Sequence, residues 1–257
     1  MRIYGSLIIL FALLFSACLF ETKKQSGHLS KKKVFVVPFP ELRPLEQAVI
    51  PADTSYLDLL FRMNGLVDIQ ELDSSFVVRL QYADTGNFLG LNFYDGLRKA
   101  YLHCDAALKL CNAQYFLHLI NPDYSLLILD ASRPLHIQQM MWDSLRMPVK
   151  TKYQYLSPPS EPSLHNYGCA VDLTILDQKN ARVLDMGTEP DDFDPLSEPA
   201  SESRFLKSGE LSREAYANRL LLRKVMTMAK FKPIPTEWWH FSICTKPEAQ
   251  KKFKLIP

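Results

Sequence analysis

Two short stretches, residues 163–172 (Ser-Leu-His-Asn-Tyr-Gly-Cys-Ala-Val-Asp) and 237–240 (Glu-Trp-Trp-His), hold between them two histidines and two carboxylates. Those residue types make up the kit for a catalytic zinc. It needs three protein ligands, an open position for water, and a carboxylate without a metal bond to take that water's proton. Either stretch alone is a weak signal, because a single buried histidine is usually a hydrogen-bonded structural residue. Glu-Trp-Trp-His alone would also suit an aromatic strand with polar neighbours. The pair together fills the roles of a hydrolytic metal site.

Spacing restricts how such groups could converge. His165 and Asp172 are seven apart, an odd separation that faces opposite sides of a straight strand, so a turn must lie between them, and Gly168 can make it. Cys169, three before Asp172 on the expected strand, points away and is rejected as a ligand. Glu237 and His240 are also three apart, so a bulge or a curved chain is required to aim both at one ion. Histidine is the better ligand of the two, which leaves Glu237 as the general base. Trp238 and Trp239 should alternate, one toward the core and one toward the cleft. His28, His103, His118 and His136 lack comparable context and are assigned to surface or satisfied helix positions. His-Glu-x-x-His, Gly-x-Ser-x-Gly and a phosphate-binding glycine loop are all absent from the sequence.

The elements that must carry these groups can be read from periodicity. Residues 76–82 alternate like a strand, 83–91 form a loop, and 93–119 show the three-four apolar spacing of a long amphipathic helix ended by Asn121-Pro122. Residues 125–130 are a continuous apolar run, best suited to a buried strand. Arg133-Pro134 opens a helix to about residue 145, with an arginine at the strand-to-helix junction. A proline-rich loop leads to a strand over 170–176, then an acidic loop over 187–201. Ser212 caps a helix to about residue 230, and 237–243 reads as an aromatic strand. The order implies an α+β fold in a single domain over residues 46–257: a small, mostly antiparallel central sheet flanked by helices.

The chain has 257 residues, 47% of them apolar and 23% charged, with a formal net charge of +2. That composition is ordinary for a folded domain. Lysines cluster near both ends, but without aromatic interleaving or a nucleic-acid motif they read as solvated tails, so no nucleic-acid partner is expected. At the amino terminus Arg2 precedes an apolar run over 3–17, and Ser16-Ala17 stand before Cys18. This implies a signal peptide over 1–17 and export to the periplasm or outer envelope, with Cys18 as a lipid-bearing first residue anchored to the membrane. An ordinary cleaved signal or an uncleaved anchor are the alternatives. Residues 18–45 then serve as tether and extended lead-in, with a short strand at 34–37. Five cysteines make no disulfide framework. Cys104 and Cys111, seven apart on the expected helix, are roughly 10 Å apart along its axis, too far to bridge. Pairing of Cys169 with Cys244 stays open, as does oligomeric state.

Ordered matches from about Tyr82 to Phe241 resemble a known family. They are Tyr82-Ala83-Asp84-Thr85-Gly86-Asn87-Phe88, Asp130-Ala131-Ser132-Arg133-Pro134, Ser163-x-His165 through Asp172, Met186-Gly187-Thr188, Asn218-Arg219-x-Leu221-Leu222 and Glu237-Trp238-Trp239-His240-Phe241. This pattern resembles the zinc D-Ala-D-Ala dipeptidases of the VanX type, within the zinc D,D-peptidases that share a fold with Hedgehog signalling domains. The resemblance implies one zinc per chain on His165, Asp172 and His240, with Glu237 as base. It implies that Arg133 stabilises the oxyanion and that Ser163 and Tyr82 touch a small dipeptide. An aspartate after Met186-Gly187-Thr188 would hold the dipeptide's free ammonium. Ungapped counting makes it Asp191, with Asp192 adjacent and Glu189-Pro190 departing from the family pattern. Ala131-Ser132 likewise replace the family's usual Gly-Tyr. The expected activity is release of D-alanine from D-Ala-D-Ala. A peptidoglycan D,D-carboxypeptidase and a non-catalytic zinc-stabilised wall-binding module are the alternatives.

Overall fold

Residues 55–257 are described by the computed structural model, and they lie within one unit spanning Leu42–Pro257. The expected signal peptide, Cys18, the tether and the strand at 34–37 lie outside the described residues. The first elements are α1 (Tyr56–Met63), β1 (Val67–Asp68), α2 (Ile69–Leu72), β2 (Val77–Val78), β3 (Tyr101–Leu102) and α3 (Cys104–Ile120). Next come β4 (Tyr124–Asp130), α4 (Leu135–Ser144), α5 (Val149–Lys152), β5 (Ala170–Asp177) and β6 (Arg182–Val183). The chain finishes with α6 (Glu202–Ser208), α7 (Arg213–Met228), β7 (Lys232–Pro233), β8 (His240–Ser242) and α8 (Lys246–Lys252).

β4 and β5 form the centre because nearly every residue in them is buried, and continuous apolar strands of this kind need cover on both faces. The main sheet runs β2-β4-β5-β8-β7, with β6 also on β5, and every pairing except β2 with β4 is antiparallel. β1 and β3 make a separate antiparallel pair. α3 packs on β4, and α7 packs on α3. The α+β class and the mostly antiparallel sheet agree with the sequence pattern. Register has the larger consequence for chemistry. Asp172 on β5 stands opposite His240 on β8 and opposite Asp130 on β4, where the β4–β5 ladder is irregular between Ile128 and Asp130. Directly opposed residues hold their Cβ atoms about 5 Å apart, so three polar side chains line up across the sheet.

Three expected elements are shorter than periodicity suggested. The helix expected over 93–119 begins only at Cys104. Asp95 and Gly96 take positive φ values of 37° and 80°, and Tyr101–Leu102 pair with β1 before His103 caps α3 by accepting from the Asp105 N–H at 3.2 Å. Phe93, Leu97, Ala100 and Tyr101 are buried all the same, from loop and strand rather than helix. The apolar spacing there marks burial, not helix. The strand expected over 76–82 is only Val77–Val78, followed by a 3-10 turn, Gln81–Ala83, that presents Tyr82. The strand expected over 237–243 is only His240–Ser242. α7 starts at its Ser212 cap, which accepts from the Ala215 N–H at 2.9 Å. Pro134 is the N-cap of α4, which begins at Leu135. Cys104, Cys111, Cys169 and Cys244 are all free thiols.

The turn that joins the first stretch to β5 depends on Gly168, at φ 65°, where an added Cβ would lie 2.9 Å from the His103 backbone nitrogen and 2.9 Å from Leu66 Cδ2. Gly168→Ala should therefore destabilise the protein by about 2 kcal/mol or more. A drop in Tm of roughly 4–8 °C on thermal unfolding is expected.

Candidate active site

His165 sits in a 3-10 turn, Leu164–Tyr167, whose left-handed exit at Gly168 sends the chain into β5. The bend inferred from the seven-residue spacing is this turn. His165 Nε2 lies 3.3 Å from Asp172 Oδ2 and 3.1 Å from His240 Nδ1, and His240 Nδ1 lies 2.9 Å from Asp172 Oδ1. Three donor atoms about 2.0 Å from a tetrahedral ion would stand roughly 3.3 Å apart, so the spacing fits a small dication. All three donors fall within 4.8 Å of one another. His165 Nδ1 is 2.6 Å from the Ala131 carbonyl, and a proton donated there leaves Nε2 with its lone pair toward the ion. Two imidazoles and a carboxylate thus converge with the chemistry of a metal ligand set.

The other expected residues enclose the same cavity, of about 340 Å³, lined by Tyr82, Arg133, Ser163, Asp191 and Glu237 along with the three donors. Tyr82 donates to Asp191 Oδ2 at 2.7 Å, and the Arg133 guanidinium lies over the Tyr82 ring at 5.1 Å. Asp191 holds a left-handed backbone, φ 61°, that turns its carboxylate inward, whereas Asp192 is exposed and accepts from the Asp194 N–H. Of the two aspartates, Asp191 lines the cavity. Ser163 caps the turn that carries His165, in a reciprocal box with Asn166.

Glu237 precedes β8 at a bend, and Oε2 is 3.9 Å from His240 Nδ1. A curved chain of this kind was needed to bring residues three apart to one side. Trp239 lines this cavity and Trp238 a neighbouring one, but both are buried in the same core with ring centroids 5.5 Å apart, and neither is on a strand, so the expected division into one core and one cleft indole does not hold. Burial pushes the Glu237 carboxyl up to about 7, with Asp172 and Asp191 adding to it and His240 and Arg133 opposing. Burial also raises Asp191 to about 7, reinforced by Asp172. For Asp172 burial works the same way, but His165 and His240 overcome it and hold that carboxyl well below the usual range.

Several contributors were not read as functional from sequence. Arg133 is held by Asp130, whose Oδ2 accepts from Nε at 3.1 Å and Nη2 at 2.5 Å, and by Gln138 Oε1, which accepts from Nη1 at 3.0 Å. Tyr94 donates to the other Asp130 oxygen at 2.5 Å. Gln138 left no trace beyond its place four residues after Pro134, on the first turn of α4. Arg219, fully buried on α7, donates to the carbonyls of Met186 at 2.6 Å and Leu196 at 2.9 Å, bracketing the loop that carries Asp191. Phe88, Tyr155 and Phe193, from three different loops, meet with ring centroids 4.7–6.4 Å apart, and two of them line the cavity. Aromatic loop residues of that kind carry no spacing signal. Cys169 is buried with Sγ toward the Tyr167 carbonyl, away from the donors.

A family profile described as D-ala-D-ala dipeptidase, peptidase M15, matches residues 62–256. The chain is 33% identical to a D-alanyl-D-alanine dipeptidase of Escherichia coli (strain K12), over 69% of this chain and 84% of that one. It is 29% identical to one from Synechocystis, over 58% and 71%. It is 25% identical to one from Enterococcus faecalis, over 75% and 98%. A solved LD-carboxypeptidase chain aligns at 18% identity with a TM-score of 0.36, over 59% of this chain and 63% of its own, a likeness too slight to carry any argument.

Because Arg133 is buried with Asp130 as its counter-ion, Asp130→Ala would strand a desolvated guanidinium. Loss of about 3–5 kcal/mol in denaturant unfolding is expected, well beyond the effect of the lost Tyr94 hydrogen bond.

Proposed function

This chain belongs to the peptidase M15 family of D-Ala-D-Ala dipeptidases, a family of metallopeptidases, and on that premise we propose that it releases free D-alanine from D-Ala-D-Ala with one zinc ion. The observation that carries the dipeptidase reading is Asp191. It places a half-buried carboxylate, held by Tyr82, in the cavity that the His165–Asp172–His240 donors open into. A carboxylate there matches a free ammonium and disfavours an acylated one, which is how a dipeptidase excludes longer peptides.

Two imidazoles and one carboxylate suit zinc, which when bound supplies Lewis-acid polarisation of the peptide carbonyl and activates water near neutral pH. Glu237, at the cavity edge, accepts the proton from the attacking water and returns it to the departing amine. The carboxylate is the form required, and burial alone works against it. A dication at the donors and the ammonium of the substrate both favour it. Arg133 has two N–H groups beyond those given to Asp130 and Gln138, and these stabilise the oxyanion as the carbonyl carbon becomes tetrahedral. Ser163 offers a hydroxyl to the bound peptide, and Tyr82 keeps Asp191 in place. We also propose that the enzyme acts outside the cytoplasm, tethered through an acylated Cys18.

The test compares D-Ala-D-Ala with N-acetyl-D-Ala-D-Ala on the zinc-loaded enzyme. D-Alanine should appear from the first alone and stop with a chelator, while equal cleavage of both would favour a carboxypeptidase. Glu237→Gln should keep its metal by elemental analysis and lose roughly 100- to 10,000-fold in kcat. Unchanged turnover in that variant would remove Glu237 as the base.

A further inference from the structure

We propose that Lys246 binds the C-terminal carboxylate of the substrate. The inference rests on the dipeptide-hydrolase reading above and adds the group that recognises the other end of the molecule.

A zwitterionic dipeptide brings two charges into the cavity, and the wall supplies carboxylates generously. Asp172, Asp191 and Glu237 all line it. Asp191 accounts for the ammonium. The substrate's carboxylate, by contrast, enters a space already rich in negative charge and is repelled unless a cation receives it. Apart from the histidines, two cationic side chains line the cavity, Arg133 and Lys246. Arg133 is buried and turned toward Asp130 and Gln138, with its remaining N–H groups assigned to the oxyanion. Lys246 is exposed, and among the described residues no carboxylate lies within salt-bridge distance of it.

Local structure holds this lysine where the role needs it. Lys246 is the first residue of α8, directly after Thr245, which is locked in a reciprocal capping box with Glu248. The nearest acid on the helix, Glu248, is thereby engaged, and its other neighbour is Lys232 at 3.6 Å. α8 packs against the turn that carries His165, and Lys246 lines the cavity together with Ser163 and Leu164. Asp191 and Tyr82 come from other loops entirely. One carboxylate and one ammonium, offered from separate elements, read the two termini of a peptide too short to place either charge elsewhere.

The experiment pairs a lysine variant with a substrate that lacks the charge. Lys246→Gln keeps a polar side chain at an exposed position and should fold like the wild type. For D-Ala-D-Ala its kcat/KM should fall by about tenfold or more, mainly through KM. For the C-terminal amide D-Ala-D-Ala-NH2, wild type and Lys246→Gln should differ by less than about twofold, and Lys246→Arg should restore most of the loss on the free acid. Calorimetric binding of both compounds to zinc-loaded Glu237→Gln protein, with and without Lys246→Gln, gives the same comparison without turnover. Equal losses on acid and amide, or none on either, would overturn the assignment while leaving dipeptide hydrolysis standing. If the wild type hydrolyses neither compound, the functional reading fails. The binding comparison then still decides whether Lys246 receives a carboxylate.

Discussion

Asp172 has His240 opposite it on one neighbouring strand and Asp130 opposite it on the other, and the rest of the site is arranged around that row. A side chain on β5 cannot slip by one residue without turning to the opposite face of the sheet. The apolar neighbours Val171 and Leu173, both fully buried, resist such a slip because it would exchange them with Asp172 and Thr174. Hydrophobic burial in the middle of the sheet therefore specifies where the metal donors stand. The turn at Gly168 then folds His165 back to complete the set.

Charge is concentrated in a small volume, and each group is balanced by a particular partner. Arg133 has Asp130, which is braced in turn by Tyr94, while Asp191 has Tyr82. Glu237 has less: at the edge of the cavity its carboxyl is pushed up to about 7 by burial and by the acids beside it. Strongly perturbed acids in a cleft are a mark of functional sites. Here burial is the leading cause, with the neighbouring carboxylates adding to it. A dication and an ammonium are the charges that relieve it.

Support from further away shapes the pocket without touching what is bound. Arg219 on α7 grips the loop around Asp191 from behind through main-chain carbonyls, and Trp238 adds a hydrogen bond to Thr188 at 2.9 Å in the same loop. The left-handed conformation at Asp191 is an unfavourable one for a non-glycine residue, kept by this surrounding framework. The aromatic rings of Phe88, Tyr155 and Phe193 meet from loops that share no sequence pattern, and Tyr155 and Phe193 line the cavity.

Residue type and spacing were enough to single out the three donors that the fold brings together, and the bend that each stretch needs. The chemistry of a hydrolytic metal site admits few side chains, and odd spacings on a strand cannot converge otherwise. The central apolar strands were equally legible, because complete burial leaves an uninterrupted hydrophobic run. Residues 93–103 were not. Their apolar spacing signalled burial, but Asp95-Gly96 and pairing with β1 place that segment in loop and strand, and such pairing depends on a partner more than thirty residues away. The placing of Asp191 rather than its neighbour in the cavity wall, the Gln138 and Asp130 grip on Arg133 and the closeness of Lys246 to the cavity were likewise decided only by tertiary structure. Local sequence records which groups are present and which way a regular element would face. Which of them share a cavity is decided by packing between distant segments, and that packing acts through contacts that no local spacing encodes.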